Sequence, residues 1–209
     1  MYIDFNKMNI KRNNFKSSST ENVKQEIPEE INRVIKDVEN VEDFLSVHKI
    51  LRNLCKYYSD FKEIKQGLYR YKDYIIAPGM KFNMAAKAGN LRNIADLNLQ
   101  CAPKLIHFKI LKNDEDVVLI TQIPGVGSGE LTEMDETVSV ECKRKLVEDY
   151  DKLAKNGLFN PTITDSIQNW LVTEQGNIYI DNWSQLSGLV NDETINEGRK
   201  DLIDMCGLI

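Results

Sequence analysis

The sequence predicts an α+β fold with a small antiparallel sheet and a reduced helical region, and three observations carry that reading. Between Phe61 and Ala77, aromatic and β-branched residues form short runs closed by Pro78 and Gly79, the texture of hairpin strands. From Ile31 to Cys55, apolar residues recur at Val34, Ile35, Val38, Val41, Phe44, Leu45, Val47, Leu51 and Leu54, which is helical spacing. From Trp170 to Ile180, two apolar runs enclose the turn residues Glu174, Gln175, Gly176 and Asn177.

Length and composition set the frame. A chain of 209 residues, 42% apolar and 28% charged, accommodates one ordinary domain plus an appended segment. A net charge of -5 argues against nucleic acid or an anionic membrane as partner, because phosphate binding needs a concentrated basic face. Protein or small-molecule partners are expected instead. The four cysteines lack metal or redox spacing, and the two histidines, His48 and His107, sit in apolar contexts. No stretch has the roughly 18 apolar residues of a membrane helix, and the polar start lacks a signal-peptide core. The expected location is the cytoplasm, or a host cell reached by a non-Sec route, since a Ser/Asn-rich start is what secreted bacterial effectors tend to show.

The elements follow in order. Residues 1–27 form a polar tail with too few large apolar groups to offset its ordering entropy. Residues 28–59 form a helical segment opened by Pro28 with Glu29 and Glu30 at the positive end of the helix dipole, either one long helix or two with a break near Glu39 to Glu42. Strands are expected at 61–66, 68–72 and 74–77, a helix from Asn83 to Leu97, and strands at 104–111 and 116–122 around the turn Lys112 to Glu115. Ile123 to Gly129 reads as a flexible connector. A helix from Asp135 to Asn156 stops at Gly157, the hairpin follows, and a last helix runs from Asp192 to Met205.

Strands, helix, two strands, glycine-rich connector, long helix, loop and a hairpin ending in Asp181 is an order that resembles a protein kinase from its N-lobe to its metal loop. The segment from Asn169 to Asp181 resembles the part of that family in which an Asn and the Asp of the D-F-G motif hold the Mg²⁺ that bridges the nucleotide phosphates. The resemblance covers residues 60–190, and its motifs lie between 156 and 183. It implies a protein-kinase-like domain at 60–209, with an N-lobe at 60–123, a reduced C-lobe at 124–209 and an N-terminal helical extension. It also implies ATP and magnesium as cofactors, with Asn169 and Asp181 as metal ligands. The likeness is to small bacterial kinase-like proteins, including effector kinases with reduced C-lobes.

The departures are equally specific. The catalytic Asp that kinases carry five residues before the Asn falls on Thr164, with Asp165 one residue later; a loop re-spaced by one residue makes Asp165 the base. Aligning on Gly157, Leu158 and Phe159 instead places Asn160 and Thr162 there, and neither is a carboxylate. Ala77 stands where the third strand would carry its phosphate-binding Lys, leaving Lys72 and Lys81 as candidate substitutes. The following helix has no Glu, and no G-x-G-x-x-G precedes it. Asn182 and Trp183 replace Phe-Gly after Asp181.

Three functions fit this sequence. One is an atypical Ser/Thr protein kinase-like phosphotransferase acting on a protein hydroxyl. Another is a pseudokinase, a binding or regulatory module for a protein partner. The last is an α+β interaction protein unrelated to kinases.

Overall fold

The computed structural model describes residues 27–123, 132–133, 138–165, 170–173, 177–188 and 190–208. Residues 1–26 of the expected tail, Asn169, residues 124–129 of the connector and residues 174–176 of the hairpin turn lie outside them.

The N-terminal segment is two helices, α1 (Glu29–Val38) and α2 (Phe44–Tyr57). The break falls where Asp43 turns extended and its carboxylate accepts the Ser46 N–H at 2.8 Å, an N-cap that begins α2 afresh. Ile31, Val34, Val38, Val47 and Leu51 are all 0% exposed. What buries them is a five-stranded antiparallel sheet of β1 (Phe61–Lys65), β2 (Leu68–Tyr71), β3 (Tyr74–Met80), β4 (Lys104–Ile110) and β5 (Asp116–Gln122), in the order β1-β2-β3-β5-β4. Tyr69 pairs with Ile76 and Ile76 with Ile120, so these side chains share one face, which packs on α1 and α2. At about 1.5–3 kcal/mol for each buried aliphatic side chain, the helices and the sheet are one core. The link between α1 and α2 is also fastened to the β4–β5 turn, where Lys112 N–H donates to Val41 and Asn113 N–H to Glu42.

Strand β3 does not end at Pro78 and Gly79 as expected but continues to Met80, paired with β5 throughout. Its pairing with β2 stops at Ile76. Beyond that point β3 has a neighbour on one side only, and a strand edge tolerates a proline that lacks an N–H.

The opposite face of the sheet carries Ile75, Ala77 and Leu119. It meets α3 (Lys81–Asn93), which gives way to a 3-10 turn at Ala95–Leu97. Below the sheet, β6 (Thr132–Glu133), β8 (Trp170–Val172) and β9 (Ile178–Ile180) form a small antiparallel sheet, and β7 (Leu158–Phe159) pairs with β10 (Ser187–Gly188). Around them lie α4 (Val140–Lys155), the single turn α5 (Thr162–Asp165) and α6 (Asp192–Cys206). Their shared core contains Leu146, Tyr150 and Leu153 of α4, Trp170, Trp183, Leu202 and, from α3, Leu91. Helix α3 therefore joins the two halves. Among the described residues no helix is long and apolar enough to cross a membrane.

Candidate functional site

The hairpin β8–β9 is in register from Trp170 opposite Ile180 to Val172 opposite Ile178, and the chain leaves it directly into Asp181. Trp170 and Ile180 are fully buried, so the hairpin is anchored from below. Asp181 itself is accessible, with 57% of its side chain exposed.

The side chain on Asp181 is Lys87 of α3, whose Nζ lies 2.7 Å from Oδ1 and which is itself only 14% exposed. One turn further along the same helix, Asn90 Nδ2 donates to the Trp183 carbonyl at 2.7 Å. Residues three apart lie on one helix face, so a single face of α3 grips the segment 181–183 twice. Trp183, 0% exposed, donates its indole N–H to the Ile180 carbonyl at 2.8 Å and closes the turn from within the core. Above Lys87, Ala77 contributes a small side chain to the layer between β3 and α3, with Ala88, Leu119 and Met84.

The loop that precedes β8 is tied to the same segment. Asn160, 0% exposed, donates from Nδ2 to the Asn182 carbonyl at 3.1 Å, and the Thr162 hydroxyl contacts that carbonyl at 2.8 Å. Asn160 Oδ1 in turn accepts the Thr162 N–H at 3.2 Å. The two side chains that replace a carboxylate in the alignment on Leu158 and Phe159 are thus buried and spent on holding the 181–183 backbone. Asp165 is exposed at the end of α5, its N–H donating to the Pro161 carbonyl at 2.9 Å.

Between the sheet and the hairpin, Leu68, Ile75, Ile123, Leu171 and Tyr179 form an apolar layer. Burial, together with the nearby Cys101 and Asp73, pushes the Tyr179 hydroxyl up to about 12, so it stays protonated. The β1–β2 turn is drawn toward α2. Gly67, at φ +79°, donates its N–H to Glu63 Oε1 at 3.1 Å, and a Cβ there would lie 3.2 Å from His48. His48 Nδ1 and the Tyr69 hydroxyl are 2.9 Å apart. The Gly67 N–H is therefore engaged within its own turn.

Of the residues singled out from the sequence, Asp181 occupies the junction of both halves. Neither Lys72 nor Lys81 is brought to it. Lys72 sits at positive φ in the β2–β3 turn with Nζ 5.0 Å from the Tyr71 ring, on the face that carries α1. Lys81 pairs with Asp114 at 2.8 Å at the other end of α3. The lysine that meets Asp181 is Lys87, which sequence reasoning passed over by seeking a replacement near the strand. A signal existed: Lys87 is the one charged residue among Ala85, Ala86, Ala88 and Gly89.

Among the described residues, the accessible carboxylate that a magnesium ion would meet at this junction is Asp181. Among the described residues no group of three His, Cys, Asp or Glu side chains could form a metal cage. Mg²⁺ held through one or two carboxylates plus phosphate oxygens and water needs no such cage, so the residues fit a metal that arrives with a phosphate.

No protein-family model matches the chain, and no curated protein matches it. Among solved structures, one that is similar is the kinase PK-1 of the Cydia pomonella granulovirus, at 12% identity and a TM-score of 0.44 over 68% of this chain and 60% of that one. The chain thus spans about 60% of that kinase's length.

Proposed function

We propose that the chain is a kinase-like protein that takes Mg-ATP between its two halves and passes a phosphoryl group to a protein hydroxyl. The observation that carries this reading is the ion pair of Lys87 and Asp181, a cation and an accessible carboxylate set side by side where the sheet, α3 and the hairpin meet. A magnesium ion held there would supply positive charge against the nucleotide phosphates. Asp181 would hold the metal, with Asn169 as the second ligand. Lys87 would turn its ammonium from the carboxylate to the phosphates, supplying from the helix the charge that Ala77 removes from the strand. Leu68, Ile75, Ile123, Leu171 and Tyr179 offer an apolar seat for a base. Asp165, exposed on α5, would accept or orient the proton of the acceptor hydroxyl.

A second reading, a pseudokinase that binds a protein partner without turnover, is favoured by Asn160 and Thr162. They bury uncharged side chains in the loop where a base would stand.

The test is thermal unfolding with and without millimolar Mg-ATP, followed by transfer of radiolabelled phosphate to the protein itself and to a generic substrate protein. The proposal expects stabilisation by nucleotide and transfer that Asp181→Asn abolishes. A charge-assisted contact to phosphate contributes about 1.5–3 kcal/mol, so Lys87→Ala is expected to weaken nucleotide binding by roughly 10- to 150-fold. Stabilisation without transfer selects the pseudokinase. A wild-type protein that neither responds to Mg-ATP nor transfers phosphate refutes the phosphotransferase and likewise favours the pseudokinase.

A further inference from the structure

Toward the C-terminal end of α3, a cavity of about 550 Å³ lies between the helix and β4. Every residue from Ala102 to Phe108 lines it. Side chains of a strand alternate between faces, so a cavity on one face would meet every second residue. An unbroken run means that the strand's outer edge, backbone included, is the wall. β4 is the last strand of its sheet, and that edge carries no partner strand among the described residues. The facing wall is Leu91, Ile94 and Leu99.

Two cations stand at this groove. Arg92 lies over the Phe108 ring at 5.9 Å and Lys104 begins the strand; both line the cavity and both are exposed. Neither pairs with a carboxylate among the described residues, although the chain as a whole carries a net charge of -5. Free backbone groups, an apolar trough and unpaired positive charge together describe the complement of one kind of ligand.

We propose that this groove binds an extended acidic peptide of a partner protein, which adds to β4 as a further strand. Its backbone takes the free edge, an aliphatic or aromatic side chain enters against the accessible lining residues Ala95, Leu99 and Phe108, and its carboxylates meet Arg92 and Lys104. The register irregularity between Leu105 and His107 interrupts the edge and limits the occupant to a short segment. The inference is independent of nucleotide chemistry at Asp181.

The experiment uses the full chain and an acetylated heptapeptide alternating glutamate with valine and phenylalanine, read by fluorescence anisotropy and by amide exchange over 104–110. Saturable binding is expected, with slowed exchange in β4. A central proline in the peptide should abolish it, as should lysine in place of every glutamate. The double substitution Arg92→Glu and Lys104→Glu should weaken it at least tenfold. Because the peptide variants act on the unaltered protein, the conclusion does not depend on that double variant folding. Absence of saturable binding, equal affinity for the proline or lysine peptide, or unchanged exchange in β4 overturns the proposal. So does concentration-dependent self-association that the double substitution abolishes, since the groove would then belong to a second copy of the chain.

Discussion

Replacing Asp149 by Ala tests how the position of Asp181 is set. Asp149, on α4, is 1% exposed, and its Oδ2 accepts the N–H groups of Gln100 at 2.5 Å and Cys101 at 2.8 Å, while Lys152 lies 2.7 Å from Oδ1. The Cys101 carbonyl then accepts the Ile180 N–H at 2.8 Å, one residue before Asp181. A chain of hydrogen bonds thus runs from α4 through the loop before β4 to the end of the hairpin. Leaving a buried donor unsatisfied costs about 1–3 kcal/mol, and Cys101, 1% exposed, bears that in full. Gln100 is exposed and recovers much of its loss from water. The Lys152 ion pair, with the lysine 39% exposed, adds at most about 1 kcal/mol after solvent screening. The sum is about 1–4 kcal/mol. Urea unfolding should show a lower midpoint at an unchanged slope, and Asp149→Asn, which keeps an acceptor oxygen, should lose about half as much. A loss under about 0.5 kcal/mol, the range of ordinary surface substitutions, would refute the clamp.

Other perturbations have distinct signatures. Leu51→Ala, at a 0% exposed site between α2 and the sheet, should cost about 2–5 kcal/mol in the same assay and show that the N-terminal helices unfold with the sheet. In Gly198→Ala the new Cβ would lie 2.6 Å from the Tyr150 hydroxyl, which donates to the Ile195 carbonyl at 2.9 Å. Overpacking of about 1–3 kcal/mol is expected, partly relieved when Tyr150→Phe is added in a double-mutant cycle, since Phe159 Cε2 still lies 3.2 Å from the new Cβ. Burial lowers the pKa of both His48 and His107 in the folded state, against the weaker opposing pull of Glu63 on His48 and Glu39 on His107. The folded chain therefore binds fewer protons than the unfolded one. The stability they contribute is present above the unfolded value of about 6.5 and is lost as pH falls through the lower folded values. Unfolding free energies measured from pH 8 to pH 5.5 should decline, and His107→Leu should flatten that decline.

Much of the fold was legible because the controlling signals are local. The aromatic and β-branched runs after Phe61 and the turn Lys112 to Glu115 between β4 and β5 are set by neighbours in sequence, whereas the choice between one N-terminal helix and two was settled only by the Asp43 cap. Where β3 ends was not legible. Pro78 and Gly79 read as a stop, and only the limited pairing of β2 turns that stretch into an edge that accepts proline. The short strands β7 and β10 were missed for a related reason: two-residue ladders carry no periodicity, and each exists only because the other is opposite.

The site divides along the same line. The sequence by itself determined that a hairpin ends in Asp181, that the third strand carries Ala77 and no lysine, and that no carboxylate stands at Asn160 or Thr162, because each of these is a matter of residue type at a position. Only the tertiary structure decided which cation answers Asp181. Lys72, Lys81 and Lys87 are equivalent charges in a string of letters. The direction of α3, fixed by burial of Ala88 against the sheet and Leu91 in the lower core, brings Lys87 and Asn90 onto the segment 181–183 and leaves Lys81 at the far end with Asp114. Charge pairing across 94 residues depends on where packing aims a helix, and that is a property of the whole core.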